Sequence, residues 1–268
     1  MKKNQRALKR NLYYLIIVFG WGLLSLVASQ FITAILMYAG LGEKFSEPFW
    51  VMIYYALNYL LTLALILFVL PRLVNLYQQR ITKSKEVKSK GKTTESNVET
   101  ENEFSPHLEE LGLMRGPSFI DIGLAPIGYI LYILATNLIT GFMSNFSWFD
   151  SEQPQDVGFG GFIAGNNRIW AVIAIVFIAP IAEEVIMRGW LYGKVRRKLP
   201  AYASILLVSI LFGVMHGQWN AGVATFVLSL LLCSMREVTG SIWSGALLHI
   251  LSNGIAFYIL YIANTGIM

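Results

Sequence analysis

The sequence predicts an all-α fold, a polytopic transmembrane helix bundle of about seven spans whose last four helices hold the polar residues of interest. Composition carries the first argument: 55% of the 268 residues are hydrophobic and 14% are charged, against about 25% charged in an ordinary soluble domain. The mean hydropathy is +0.55, and a soluble chain would need far more polar surface to cover such a core. The second argument is blocking. The apolar residues fall in runs long enough to cross a bilayer, which takes roughly 20 helical residues. The third is the placement of charge, taken up below.

The N-terminal cations Lys2, Lys3, Arg6, Lys9 and Arg10 precede an apolar run from Tyr13 to about Ala39. That run is too long for a signal-peptide core and carries no small-residue cleavage site, so it reads as a first span that stays attached. Further spans are expected at about 49–70, 119–143, 168–192, 200–219, 221–236 and 241–264. Three regions follow: a two-helix transmembrane hairpin over 1–75, a polar disordered cytoplasmic linker over 76–118, and a core over 119–268. The Lys/Ser/Thr/Glu-rich stretch from Lys83 to Phe104 has almost no apolar residue with which to offset chain entropy. Trp50, Trp170, Trp190 and Trp243 lie near expected span ends, where interfacial anchors often stand. The single cysteine, Cys233, lies in an apolar run and reads as a small buried hydrophobe.

Charge placement sets the expected orientation. If seven helices alternate, 18 of the 21 Lys and Arg residues fall on one side, and the other side has only Lys44 and Arg168. By the positive-inside rule the N-terminus is cytoplasmic and the C-terminus outside, in a multi-pass protein of the cell membrane. The net charge of +5 is therefore topological. Lipid bilayer is the expected partner, and nucleic acid is not.

Five ionisable residues stand inside the last four spans: Glu183, Glu184, Arg188, His216 and His249, with Asn253 one turn beyond His249. Such groups cost several kcal/mol each in a bilayer, so they usually face a bundle interior and mark a function. Glu184 and Arg188 are spaced i, i+4 and can pair along one helix face. Glu183 is rotated about 100° away and escapes that cation. Phe212 and His216 share a helix face by the same spacing, as do His249 and Asn253. Glu183 and His216 are 33 residues apart, with their midpoint at Leu199–Pro200 beside the basic turn Lys194, Arg196, Arg197, Lys198. If that turn closes a helical hairpin, the glutamate and the histidine come out level. Pro180 is expected to kink the fourth helix just before the glutamates.

A carboxylate beside a neutral histidine can hold a water and accept its proton. A second histidine and an amide can donate hydrogen bonds to the oxyanion formed when that water attacks a carbonyl. Two histidines and a glutamate are equally a ligand set for catalytic zinc, so a zinc cofactor stays open beside a site with none.

The motifs add a resemblance. Glu183-Glu184-Val-Ile-Met-Arg188 matches EExxxR, Phe212-Gly-Val-Met-His216 matches FxxxH, and His249-Ile-Leu-Ser-Asn253 matches HxxxN. Together, in this order, they resemble the CAAX protease and bacteriocin-processing (CPBP, or Abi) family of intramembrane proteases, over about 168–256. The resemblance implies an intramembrane endopeptidase acting on a membrane-associated peptide or protein. Glu183 is then the general base, assisted by His216, with His249 and Asn253 as oxyanion hole and Glu184 and Arg188 as a supporting pair. Some members of the family are regulators, so a non-catalytic membrane scaffold or bacteriocin-immunity protein is the alternative. For orientation, reporter fusions after residues 95, 155 and 268 should read inside, outside and outside. A cytoplasmic reading at 268 would mean that the helices number other than seven.

Overall fold

The computed structural model describes residues 2–39, 47–88, 105, 107–151, 153 and 168–263, and among them the secondary structure is helix and turn with no strand. In chain order the helices are α1 (Lys2–Tyr38), α2 (Glu47–Ala64), α3 (Leu70–Lys88), α4 (Leu108–Leu111), α5 (Phe119–Met143) and α6 (Arg168–Val172). They continue with α7 (Ala179–Glu184), α8 (Tyr192–Arg196), α9 (Ala201–Val214), α10 (Trp219–Thr239) and α11 (Trp243–Tyr261). Short π-helical stretches join some of them into longer rods: Leu65–Val69 links α2 to α3, Ile173–Ile178 links α6 to α7, and Val185–Leu191 links α7 to α8.

Among the described residues six rods are long and apolar enough to span a membrane: Lys9–Tyr38, Phe49–Tyr77, Phe119–Met143, Arg168–Arg196, Trp219–Thr239 and Trp243–Tyr261. The seventh, α9, is apolar but only 14 residues long, about 21 Å at 1.5 Å per residue. It stops short of the expected 200–219 because the chain turns at Met215–Gln218, where Gly217 takes a positive φ of 72°. The hairpin expected at the basic turn is present: α8 ends at Arg196, Pro200 is extended, and α9 begins at Ala201. Pro180 lies two residues past the π stretch Ile173–Ile178, at the start of α7, where its missing N–H is tolerated.

Lipid tails are as apolar as leucine, so burial of apolar surface cannot by itself hold such helices together. Close packing of small residues and interhelical hydrogen bonds must contribute. Between α1 and α2 the buried ladder is Ser25, Ser29 and Thr33 against Asn58 and Thr62, with the Ser29 and Thr62 hydroxyls 2.7 Å apart. Between α9 and α10 two glycines let the backbones touch. A Cβ on Gly213 would lie 2.7 Å from the carbonyl oxygen of Gly222, and one on Gly222 would lie 3.0 Å from that of Gly213. Trp190, expected near an interface, is instead fully buried, with its ring against Gly22 of α1. Cys233 is buried and free.

The region read as a polar linker has more structure in its described parts than composition suggests. Helix α3 runs on to Lys88. Residues 107–118 pack across the basic end of the bundle, and 89–104 and 106 lie outside the described residues. Arg236 of α10 donates to the carbonyls of Glu109 and Glu110. Lys194, of the basic turn, is buried and donates to Glu110 at 2.8 Å and to the Ser105 carbonyl at 2.9 Å. A buried ammonium needs such a counter-charge. Asp121, at the third position of α5, accepts from Arg115 and from Ser244 of α11, tying the starts of two spans together. The Arg115 guanidinium is held more firmly protonated by the Asp121 carboxylate it donates to.

The glycine contact of the α9–α10 hairpin makes a prediction. Gly213→Ala should cost about 1–3 kcal/mol through overpacking against backbone, read as a lower Tm in detergent. Gly123→Ala on α5, where nothing lies within 4 Å of the added Cβ, should leave Tm unchanged or slightly raised.

Candidate active site

The two glutamates stand at the end of α7, between two π stretches. π turns inside a helix shift the facing of successive residues and are often found at functional sites. Here they leave adjacent carboxylates with different surroundings. Glu184 is fully buried. Its Oε1 accepts from Arg188 Nη1 at 2.9 Å and from His249 Nδ1 at 3.1 Å. Its other oxygen lies where α11 presents Gly245, and a Cβ there would come within 2.9 Å of it. The Arg188 guanidinium is buried over the Phe212 ring, 4.5 Å from its centre. The i, i+4 pair is therefore present and is extended by a histidine from another span.

Glu183 faces a different way. Its Oε1 accepts from the Tyr59 hydroxyl of α2 at 2.5 Å, and its Oε2 is 3.8 Å from His249 Nε2, beyond hydrogen-bond reach. Glu183 lines a cavity of about 370 Å³ with His216, Phe212, Ile186, Met187 and Met215, closed on the far side by Leu26, Gln30, Tyr54, Tyr55, Asn58 and Tyr59. A second, more apolar cavity of about 430 Å³ runs from it between α1 and the Val185–Leu191 stretch, sharing Leu26, Gln30, Ile186, Met187 and Met215.

Each histidine has one nitrogen committed. His216 lies in the turn just past α9 rather than on the helix, because Gly217 ends the helical run. Its Nδ1 is 2.7 Å from the Phe212 carbonyl. A carbonyl oxygen only accepts, so the proton is on Nδ1 and the neutral ring keeps its lone pair on Nε2. The Phe212 ring packs edge-on against both imidazoles, at centroid distances of 4.9 Å from His216 and 5.9 Å from His249. His249 is buried and gives its Nδ1 proton to Glu184, which fixes ring orientation as a carboxylate partner generally does for histidine. Asn253, one turn on, donates through Nδ2 to the Ile175 carbonyl at 3.0 Å, leaving the second amide hydrogen uncommitted.

The structure thus joins Arg188, Glu184, His249 and Glu183 in one chain of contacts and puts His216 on the same cavity as Glu183. It turns one Asn253 hydrogen away, onto the backbone. Among the described residues no three of His, Cys, Asp and Glu are placed to hold a metal ion. Sequence reasoning missed Tyr59 and Gly245. The available signal for Tyr59 was its position: it lies mid-span, where an interfacial tyrosine would not be.

A helix bundle with six rods long and apolar enough to span a membrane, burying ionisable residues beside a cavity of about 370 Å³, is a polytopic membrane protein with a polar site inside the bundle. Residues 165–255 match the family described as Type II CAAX prenyl endopeptidase Rce1-like. The match bears out, over that segment, the resemblance to the CAAX protease and bacteriocin-processing family, and it supports a CAAX-type intramembrane protease in general. No curated protein and no solved structure matches the chain.

The buried ion pair makes a prediction. Glu184→Gln leaves Arg188 without its counter-ion inside the bilayer and should cost on the order of 3–5 kcal/mol. Thermal unfolding in detergent reads the loss, and an unchanged Tm would show that Arg188 finds another anion.

Proposed function

We propose that this chain is an intramembrane endopeptidase that hydrolyses a peptide bond of a membrane-associated peptide or protein, with Glu183 as the base that activates water. One observation carries the reading. Of two adjacent intramembrane carboxylates, Glu184 is neutralised within the protein, while Glu183 faces a cavity together with a histidine. A carboxylate left without a cation in a low-dielectric pocket is suited to take a proton from water.

In this mechanism a water lies between Glu183 and His216 Nε2. Glu183 takes one of its protons as the oxygen attacks the scissile carbonyl, and the carbonyl π electrons move onto its oxygen. The Asn253 amide hydrogen not held by Ile175 donates to that oxyanion, and His249 joins it through Nε2–H when the ring carries both protons, its Nδ1–H remaining on Glu184. Such donors are worth more in a water-poor site than in bulk. Glu183 then returns the proton to the leaving nitrogen as the C–N bond breaks. The adjoining apolar cavity suits the side chains of a substrate that arrives from the membrane. The proposed setting is the cell membrane, with the N-terminus cytoplasmic and the C-terminus outside, and the basic end of the bundle on the cytoplasmic side.

The test is turnover in detergent against quenched-fluorescent peptides, lipidated and unmodified. Glu183→Gln keeps the side-chain shape and removes the base, so turnover should fall about 10²–10⁴-fold with normal insertion and Tm. A cellular phenotype that survives in Glu183→Gln would favour a non-catalytic scaffold. Hydrolysis should also survive exhaustive chelation, since Glu183 and His216 account for water activation. Stoichiometric zinc in active protein, with activity lost and regained as zinc is removed and returned, would overturn the metal-free mechanism.

A further inference from the structure

We infer that Tyr59 of α2, outside the family-matched segment, is a further catalytic residue: its hydroxyl holds Glu183 before attack and then donates to the oxyanion. The inference rests on the proteolytic reading above and goes beyond it.

The geometry places the phenol at the reacting carboxylate. Tyr59 Oη donates to Glu183 Oε1 at 2.5 Å across 124 residues of sequence. The bond leaves Oε2 for water, so Tyr59 selects which oxygen of Glu183 acts as base. Tyr54, Tyr55, Asn58 and Tyr59 form a polar wall of the cavity facing Glu183 and His216. The wall stands mid-span: Tyr59 is ten residues into the Phe49–Tyr77 rod, about 15 Å from its end at 1.5 Å per residue. A tyrosine at that depth is not an interfacial anchor, and its hydroxyl needs a partner within the protein.

Donor supply around the site points the same way. His249 Nδ1 is committed to Glu184, and one hydrogen of the Asn253 amide to the Ile175 carbonyl. Of the groups contacting Glu183, Tyr59 is the one whose donor is released by the reaction itself. While Glu183 is a carboxylate it accepts the phenol proton. Once Glu183 takes a proton from water, Oε1 becomes a weaker acceptor. The oxyanion forming in the same cavity is then the stronger one, and a rotation about the phenol C–O bond redirects the hydrogen to it. The phenol proton is not transferred. The water proton goes to Glu183 and on to the leaving nitrogen, so atoms and charge balance without a further reactant.

The test uses the full chain in detergent and the quenched-fluorescent peptide that the wild-type protein cleaves. Tyr59→Phe should lower kcat about 10²–10³-fold, as loss of an oxyanion donor does, with KM and Tm unchanged. A phosphonamidate copy of the same peptide, whose tetrahedral oxygens stand in for the oxyanion, should bind Tyr59→Phe more weakly by a similar factor. The parent peptide should bind both proteins alike. Equal loss of affinity for the two ligands, or a kcat loss that tracks a fall in Tm, would make Tyr59 a packing residue and overturn the assignment. Cleavage unaffected by Tyr59→Phe overturns the Tyr59 assignment alone. Absence of any cleavage by the wild-type protein overturns the proteolytic reading, and the Tyr59 assignment with it.

Discussion

An ionised carboxylate within a bilayer must be matched by charge and hydrogen bonds from the protein, and Glu184 is where this chain meets that demand. Arg188, one turn on, supplies the charge, and His249 from α11 supplies the second donor. Much else follows from that pairing. Gly245 has no side chain because α11 must approach the carboxylate closely. Phe212 is placed under the guanidinium and between the imidazoles. The start of α11 is fixed by the Ser244 bond to Asp121, which sets the depth at which His249 arrives. Disturbing any of these contacts leaves a charge to be rehoused in hydrocarbon, an expensive alternative.

The same pairing separates two residues that are chemically identical and adjacent. Glu184 is spent on structure, and Glu183 is free for Tyr59 and the cavity. Helical rotation alone gives about 100° between neighbours, and the π stretches on either side of α7 adjust where each points. The two carboxylates therefore differ in their partners: Glu184 secures the histidine and arginine, and Glu183 has no cation on its own helix face.

Much of this was legible in the sequence because the informative pattern is local. The spacing of Glu184 and Arg188 specifies a helix-face pair, and the long apolar runs specify spans. The Lys194 to Pro200 turn specifies a hairpin that brings Glu183 and His216 to one cavity. What was not legible depends on approach between distant segments. Nothing near Tyr59 in the chain points to Glu183, and nothing near Gly245 marks the carboxylate that needs its space. His216 lies in the turn past α9 because Gly217 ends the helix first, yet it still meets Phe212 as the i, i+4 spacing specifies. Residues 107–118 fall within the linker expected over 76–118, whose polar composition lies in Lys83 to Phe104. Polar atoms of 107–118 are bonded by Lys194 and Arg236, a role that composition cannot express.

The contact between Gly213 and Gly222 has a mechanical corollary. Helices whose backbones touch have no slack between them, so the α9–α10 hairpin behaves as one rigid post beside the cavity. The opposite wall, α1 and α2, meets the rest of the bundle through side chains: Trp190 against Gly22, Phe49 edge-on to Trp170, and the Tyr59 bond to Glu183. A wall built of interleaved side chains can yield by rotamer changes where touching backbones cannot, so the α9–α10 side is the stiffer face of the cavity.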